Sequence, residues 1–208
     1  MDTILIADDH EMIRRGIRMI IESFPGKYQI TEASTSTEVM RIMAANKVQY
    51  AILDMVLADG NLFSDTQLLS MYTSSIDMLV YSMNAESIYA KRLMQKGIRG
   101  FICKNAGIEE LETAIRCLLR GEVYLSPYMQ KSLIRPAGAP VDENPVDTLS
   151  DRELAVVEYT VLGLGTKEIA QKMNLDITTI STYRKRALTK LDAQNTFELK
   201  EKFLQYKI

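Results

Sequence analysis

Two adjacent acids, Asp8 and Asp9, follow the apolar run Thr3-Ile4-Leu5-Ile6-Ala7, and a third, Asp54, closes the run Tyr50-Ala51-Ile52-Leu53. Short apolar runs of this kind suit strands covered on both faces of a parallel sheet. The carboxyl ends of such strands are where open α/β sheets gather their chemistry. An Asp after one strand is usually no more than the start of a loop. Here two further runs end on functional groups, Met78-Leu79-Val80-Tyr81 on Ser82 and Gly100-Phe101-Ile102-Cys103 on Lys104. Clustered carboxylates repel one another unless a cation or protons intervene. Carboxylate oxygens suit Mg²⁺ better than softer metals. Lys104 adds a fixed cation and Ser82 a hydroxyl, a set able to hold an anionic group such as a phosphoryl on Asp54.

These residues meet only if the elements between them return each strand to one edge. From Glu11 to Phe24 the residues Met12, Ile13, Ile17, Ile20, Ile21 and Phe24 recur at helical spacing, and Pro25-Gly26 ends the run. Tyr28–Ala33 reads as a strand. Thr35 and Glu38 form a capping-box pattern ahead of Val39, Met40, Ile42 and Met43. The loop Ala58–Asn61 leads to a helix expected near Phe63–Tyr72. Further helices are expected over Glu86–Lys96, stopped by Gly97, and over Ile108–Leu119, closed by Gly121. Strands alternating with helices predict right-handed crossovers, hence an α/β, doubly wound, flavodoxin-like domain with a five-stranded parallel sheet.

The domain is expected to occupy residues 1–121, with a linker over 122–147. Pro127, Pro136, Pro140, Pro145 and Gly138 mark that linker, most plainly over Arg135–Asp147, with room for a helical turn near Tyr128–Leu133. Residues 148–208 read as a small all-α, four-helix domain. Ser150 and Glu153 form a second capping box before Leu154, Val157, Val161 and Leu162. Thr166–Met173 is a short helix, and Asp176 can cap a longer one whose inward side is Ile177, Ile180, Ala187, Leu188 and Leu191. A last helix runs over Thr196–Gln205. A short helix, a tight turn and a longer basic helix fit a helix-turn-helix.

Composition excludes several classes. The chain has 208 residues, a net charge of −2 and a single histidine, His10, so no His-rich metal site exists. Cys103 and Cys117 are too few for a disulfide framework or a zinc site. No stretch approaches the length of a membrane span, and the N-terminus runs straight into a strand without a signal core, so a cytoplasmic location and no membrane partner are expected. Basic charge concentrates at Arg184-Lys185-Arg186 and Lys190.

Residues 1–120 resemble the receiver domain of two-component response regulators, through Ile6-Ala7-Asp8-Asp9-His10, Leu53-Asp54-Met55, Tyr81-Ser82-Met83 and Phe101-Ile102-Cys103-Lys104 in order. The resemblance implies that Asp54 accepts a phosphoryl group from a histidine kinase. It implies Mg²⁺ held by Asp9, Asp54 and the Val56 carbonyl, with Asp8 acting through water. It also implies phosphoryl contacts from Lys104 and Ser82, and a switch pair of Ser82 and Phe101. Ala58 departs from the family's usual proline, which affects the loop's shape. Val56 cannot orient an attacking water, so a long-lived phosphoryl state is expected.

Residues 148–208 resemble the LuxR-type helix-turn-helix of the NarL/FixJ group, through Leu149-Ser150-Asp151-Arg152-Glu153, the run Gly163–Ala170, Thr179-Ile180 and Lys190-Leu191. Thr178, Ser181, Thr182 and Lys185 fall on one helical face. That face would enter the major groove, with Arg184 and Lys190 on phosphate. Tyr183, Ser181 and Thr196 replace residues common in the family, and the loss of cations implies modest monomer affinity. The resulting expectation is a phosphorylation-controlled transcription regulator that binds promoter DNA as a homodimer and is not a turnover enzyme. The alternatives are a receiver-based protein–protein adaptor and a constitutive DNA binder with a silent receiver.

Overall fold

The computed structural model describes residues 1–45, 47–62, 71–133 and 144–206, and the chain forms two compact units, residues 1–137 and 138–208. In the first unit β1 (Asp2–Ala7), β2 (Tyr28–Ala33), β3 (Tyr50–Leu53), β6 (Asp77–Ser82) and β7 (Gly100–Cys103) make one sheet in the order β2-β1-β3-β6-β7. Every neighbouring pair in it is parallel. Helices α1 (Glu11–Ser23), α2 (Ser36–Ala44) and α3 (Glu86–Gln95) supply the crossovers from β1 to β2, β2 to β3 and β6 to β7, and α4 (Ile108–Leu119) follows β7. The helix expected near Phe63–Tyr72 falls mainly on 63–70, outside the described residues.

Consecutive residues of β1, β3 and β6 are buried, so both faces of the sheet are covered. Ile4, Ile6, Ile52, Leu79 and Ile102 pack with Ile17, Ile20 and Ile21 of α1 and with Leu111, Ala114, Ile115 and Leu118 of α4. The register aligns the strand ends, with Ala7 opposite Leu53, Leu53 opposite Val80 and Ser82 opposite Cys103. That alignment puts the residues following each strand along one edge.

Two features depart from the sequence reading. The loop after β3 is a small antiparallel hairpin of β4 (Val56–Leu57) and β5 (Gly60–Asn61). Residues 122–133, placed in the linker, form the helical turn allowed near Tyr128–Leu133 as α5 (Pro127–Leu133), but they also bury Tyr124, Ser126 and Met129. The Tyr124 amide donates to the Arg99 carbonyl at 2.8 Å, and a Cβ at Gly100 would lie 2.9 Å from the Tyr124 Cβ. Gly100 is thus required for close approach of that segment. Ser126 Oγ bonds Glu86 at the start of α3 and accepts the Met129 amide at 3.1 Å.

In the second unit a 3₁₀ turn (Pro145–Thr148) precedes α6 (Asp151–Val161), α7 (Thr166–Met173), α8 (Ile177–Lys190) and α9 (Thr196–Gln205). Val156, Ile169, Ala170 and Ile180 form its centre, and Leu199 and Phe203 of α9 are buried. The capping box of Ser150 and Glu153 is present. Asn174, in the left-handed region at φ 50°, closes α7 and turns the chain toward α8, whose Asp176 makes no side-chain cap bond. Three residues expected inward are instead exposed, Met12 at 77%, Leu162 at 72% and Ile177 at 47%. Met12 and Ile177 lie in the first turn of their helices and Leu162 is a C-cap, so each extends past the neighbours that cover the rest of the apolar stripe.

Candidate functional site

At the carboxyl edge of the sheet, backbone bonds fix the turns that carry the functional side chains. The Asp54 amide donates to the Ala7 carbonyl at 2.8 Å, and the Lys104 amide to the Ser82 carbonyl at 2.9 Å. The Asp54 carboxylate is then held from three sides. Ser82 Oγ donates to its Oδ1 at 2.7 Å, the Val56 amide to Oδ1 at 3.2 Å, and Lys104 Nζ to Oδ2 at 2.5 Å. Asp54, Asp8 and Ser82 are all buried, as is the Lys104 side chain.

Lys104 also lies 2.6 Å from Asp8 Oδ2 and so bridges two acids. Burial pushes its ammonium toward the neutral form. The Asp54 and Asp8 carboxylates outweigh that and hold its pKa above the ordinary lysine value. Asp8 Oδ1 accepts the His10 amide at 2.9 Å, and the Asp8 carbonyl accepts Arg14 at 2.8 Å. His10 Nδ1 approaches Asp8 Oδ1 at 3.2 Å and Asp9 Oδ1 at 2.7 Å. Asp8, Asp9 and His10 thus bring three ligand atoms within 4.8 Å of one another.

The residues fit a hard divalent cation. Carboxylates of Asp8, Asp9 and Asp54 and the Val56 carbonyl are oxygen donors. Asp8 Oδ2 is buried and has no aligned hydrogen bond among the described residues, and the ammonium of Lys104 lies beside it. Phe101 is buried in β7, in register with Val80 two residues before Ser82, and so on the same face of the sheet as Ser82. His10, which reads from the sequence as a helix-start residue beside the acid pair, is the N-cap of α1. Asn84, two residues past Ser82, donates from Nδ2 to Ser82 Oγ at 3.4 Å.

On α8, Thr178, Ser181, Thr182 and Lys185 are exposed together. Ser181 and Thr182 donate their hydroxyls back to the carbonyls of Ile177 and Thr178, both at 2.9 Å. Arg184 and Lys190, expected on phosphate, each have partners within the helical unit. Arg184 is half-buried and donates to Thr166 Oγ1 at 2.9 Å and to Thr160 Oγ1 at 3.4 Å, which ties α8 to α7 and α6. Lys190 donates to Glu153 Oε2 at 2.7 Å and to the Thr148 carbonyl at 2.9 Å. Their charges brace the helices. Lys185 and Arg186 are exposed, and Lys190 is exposed too but its ammonium is held by Glu153.

A family model described as a response regulator receiver domain matches residues 4–116, and one described as bacterial regulatory proteins of the luxR family matches 147–201. The chain is 28% identical over 200 residues to the response regulator UvrY of Escherichia coli, covering 96% of this chain and 92% of that protein. It is 27% identical over 213 residues to the oxygen regulatory protein NreC of Staphylococcus carnosus, covering 99% and 98%. A solved structure of RcsB from Salmonella enterica serovar Typhimurium, bound to promoter rprA with a phosphomimetic, shares the fold at a TM-score of 0.73 and 23% identity, covering 98% of this chain and 99% of that one. The chain belongs to the response regulators, joining a receiver domain to a luxR-family domain.

Proposed function

We propose that Asp54 is the phosphoacceptor of a two-component system and that its phosphorylation controls binding of promoter DNA through α8. The observation that carries this reading is the Asp54 carboxylate itself, buried and oriented by Ser82, Lys104 and the Val56 amide. In the proposed transfer an Asp54 oxygen forms a bond to phosphorus as the P–N bond to the kinase histidine breaks. The electron pair of that bond returns to the imidazole. Asp9, Asp54 and the Val56 carbonyl would hold Mg²⁺, with Asp8 acting through water. Bound there, the ion neutralises charge developing on the transferring group. Lys104 would turn its ammonium to a phosphoryl oxygen, and Ser82 would donate its hydroxyl to another. The shift of Ser82, accompanied by Phe101, is the switch.

The output follows from the second unit. Thr178, Ser181, Thr182 and Lys185 form the face that would enter the major groove. Arg186 is added to the phosphate contacts, while Arg184 and Lys190 act by fixing the pose of α8. A phosphorylated homodimer on a two-fold site, acting in the cytoplasm, completes the reading. Among the described residues no helix is long and apolar enough to cross a membrane.

The test combines intact mass with DNA binding. Incubation with a small phosphodonor and Mg²⁺ should add one phosphoryl group to the wild type and none to Asp54→Asn. Lys185→Ala should weaken binding and lower the log–log salt slope by about 1. Phosphoryl uptake by Asp54→Asn, or unchanged DNA affinity after phosphorylation, would overturn the proposal.

A further inference from the structure

The hairpin that carries Val56 is tied to an element distant in sequence. Its tip residue Asp59 accepts the Ser36 amide on Oδ1 at 2.6 Å. On Oδ2 it accepts the Thr37 amide at 3.1 Å and the Thr37 hydroxyl at 3.0 Å. Beside it the Ala58 amide donates to the Ser34 carbonyl at 3.3 Å. Ser36 and Thr37 are the first two residues of α2, whose opening amides have no partner within the helix. The N-cap Thr35 takes the Glu38 amide with its side chain and the Val39 amide with its carbonyl. Asp59 takes the two amides that this local cap leaves. The positive end of the α2 dipole adds to the attraction for a carboxylate. Burial raises the Asp59 pKa, but the Ser36 and Thr37 bonds outweigh it and hold the carboxyl far below the usual range.

The other end of the hairpin leads to the acidic edge. Val56 and Leu57 pair with Asn61 and Gly60, and the Leu62 amide returns to the Met55 carbonyl at 2.8 Å. Gly60 adopts φ +137°, which an L side chain rarely does. Position 58 is alanine, so no proline ring fixes the loop's φ there. We propose that Asp59 is a positioning residue that clamps this hairpin to α2 and so holds the Val56 carbonyl in place beside Asp54. The inference rests on the reading above that the Val56 carbonyl helps to hold Mg²⁺. It adds a residue outside the cation's own ligands, reaching across more than twenty positions of sequence.

The experiment is calorimetric Mg²⁺ titration of the full chain, with thermal melting alongside, for wild type, Asp59→Ala, Asp59→Asn and Thr35→Ala. Loss of a cap of this kind predicts about a fivefold weaker Mg²⁺ affinity for Asp59→Ala. Asp59→Asn, which keeps an acceptor oxygen but not the charge, should fall between it and wild type. Thr35→Ala removes the local cap of the same helix without touching the hairpin, so it should lower the melting temperature and leave Mg²⁺ affinity unchanged. Wild-type affinity in Asp59→Ala would overturn the clamp. So would equal losses in Asn and Ala, which would indicate a charge acting at a distance, or an equal loss in Thr35→Ala, which would indicate the general integrity of α2. Absence of Mg²⁺ binding by the wild type would instead remove the underlying reading of the site, and the clamp with it.

Discussion

Lys104 neutralises Asp8 and Asp54, which are the same carboxylates proposed to serve a metal ion, so ammonium and Mg²⁺ compete. The perturbation that exposes this competition is Lys104→Ala. The Lys104 side chain is 6% exposed, and those of Asp8 and Asp54 are 1% and 7%. Removing one partner from so buried a group costs about 3–5 kcal/mol, because the remaining charges stay desolvated. The acids here retain the bonds from Ser82 and from the Val56 and His10 amides, so the lower end applies, about 3 kcal/mol in metal-free solution. Mg²⁺ then binds without displacing an ammonium. A tenfold gain in affinity is expected, equivalent to about 1.4 kcal/mol. At a concentration that stabilises the wild type by about 2.7 kcal/mol, the variant should gain about 4.1 kcal/mol. The assay is urea unfolding of the full chain in EDTA and in Mg²⁺, with residues 1–133 followed by hydrogen-exchange mass spectrometry. The gap between the two proteins should be widest in EDTA and narrow with Mg²⁺. A variant as stable as wild type in EDTA, or one that gains no more from Mg²⁺, would refute the reasoning.

Two further outcomes follow from the packing. Burial raises the Glu153 pKa, but Lys190 and the Ser150 amide outweigh it and leave the carboxyl below its ordinary value of 4.5. Its contribution to the helical unit is therefore fully present above that value and lost as pH falls through the depressed folded one. Glu153→Gln should cost about 2 kcal/mol at neutral pH and reduce the acid-side loss, read by pH-dependent melting. An unchanged acid limb would contradict the pairing. Gly100→Ala places a Cβ against the Tyr124 backbone, so it should destabilise the first unit by about 1–3 kcal/mol and speed amide exchange across 122–133. Unaltered exchange there would show that the segment does not depend on the close approach.

The sequence by itself determined the alternation of strands and helices, the residues at the strand ends and the helix-turn-helix. Each rests on local signals, since periodicity, breakers and caps act within a few residues. Asp8, Asp54, Ser82 and Lys104 were legible because parallel strands in a doubly wound sheet must end along one edge. The exposed face of Thr178, Ser181, Thr182 and Lys185 followed from helical spacing alone.

Only the tertiary structure decided what distant side chains do for one another. Arg184 and Lys190 read as phosphate contacts because a charge pattern does not state which way a long side chain folds, and both turn toward α6 and its neighbours. Asp59 gave no sign of its bond to α2, because hydrogen bonds across a fold leave no period in the chain. Met12, Leu162 and Ile177 matched an apolar stripe, but burial depends on how far the neighbouring elements extend over it. Residues 122–133 were expected in the linker, with room for a helical turn near Tyr128–Leu133, yet Tyr124 bonds Arg99, Ser126 bonds Glu86 and Met129 is buried, none of which a local pattern announces. Local sequence fixes dihedrals and faces, whereas the pairing of charges and the covering of faces are set by which surfaces the folded chain brings together.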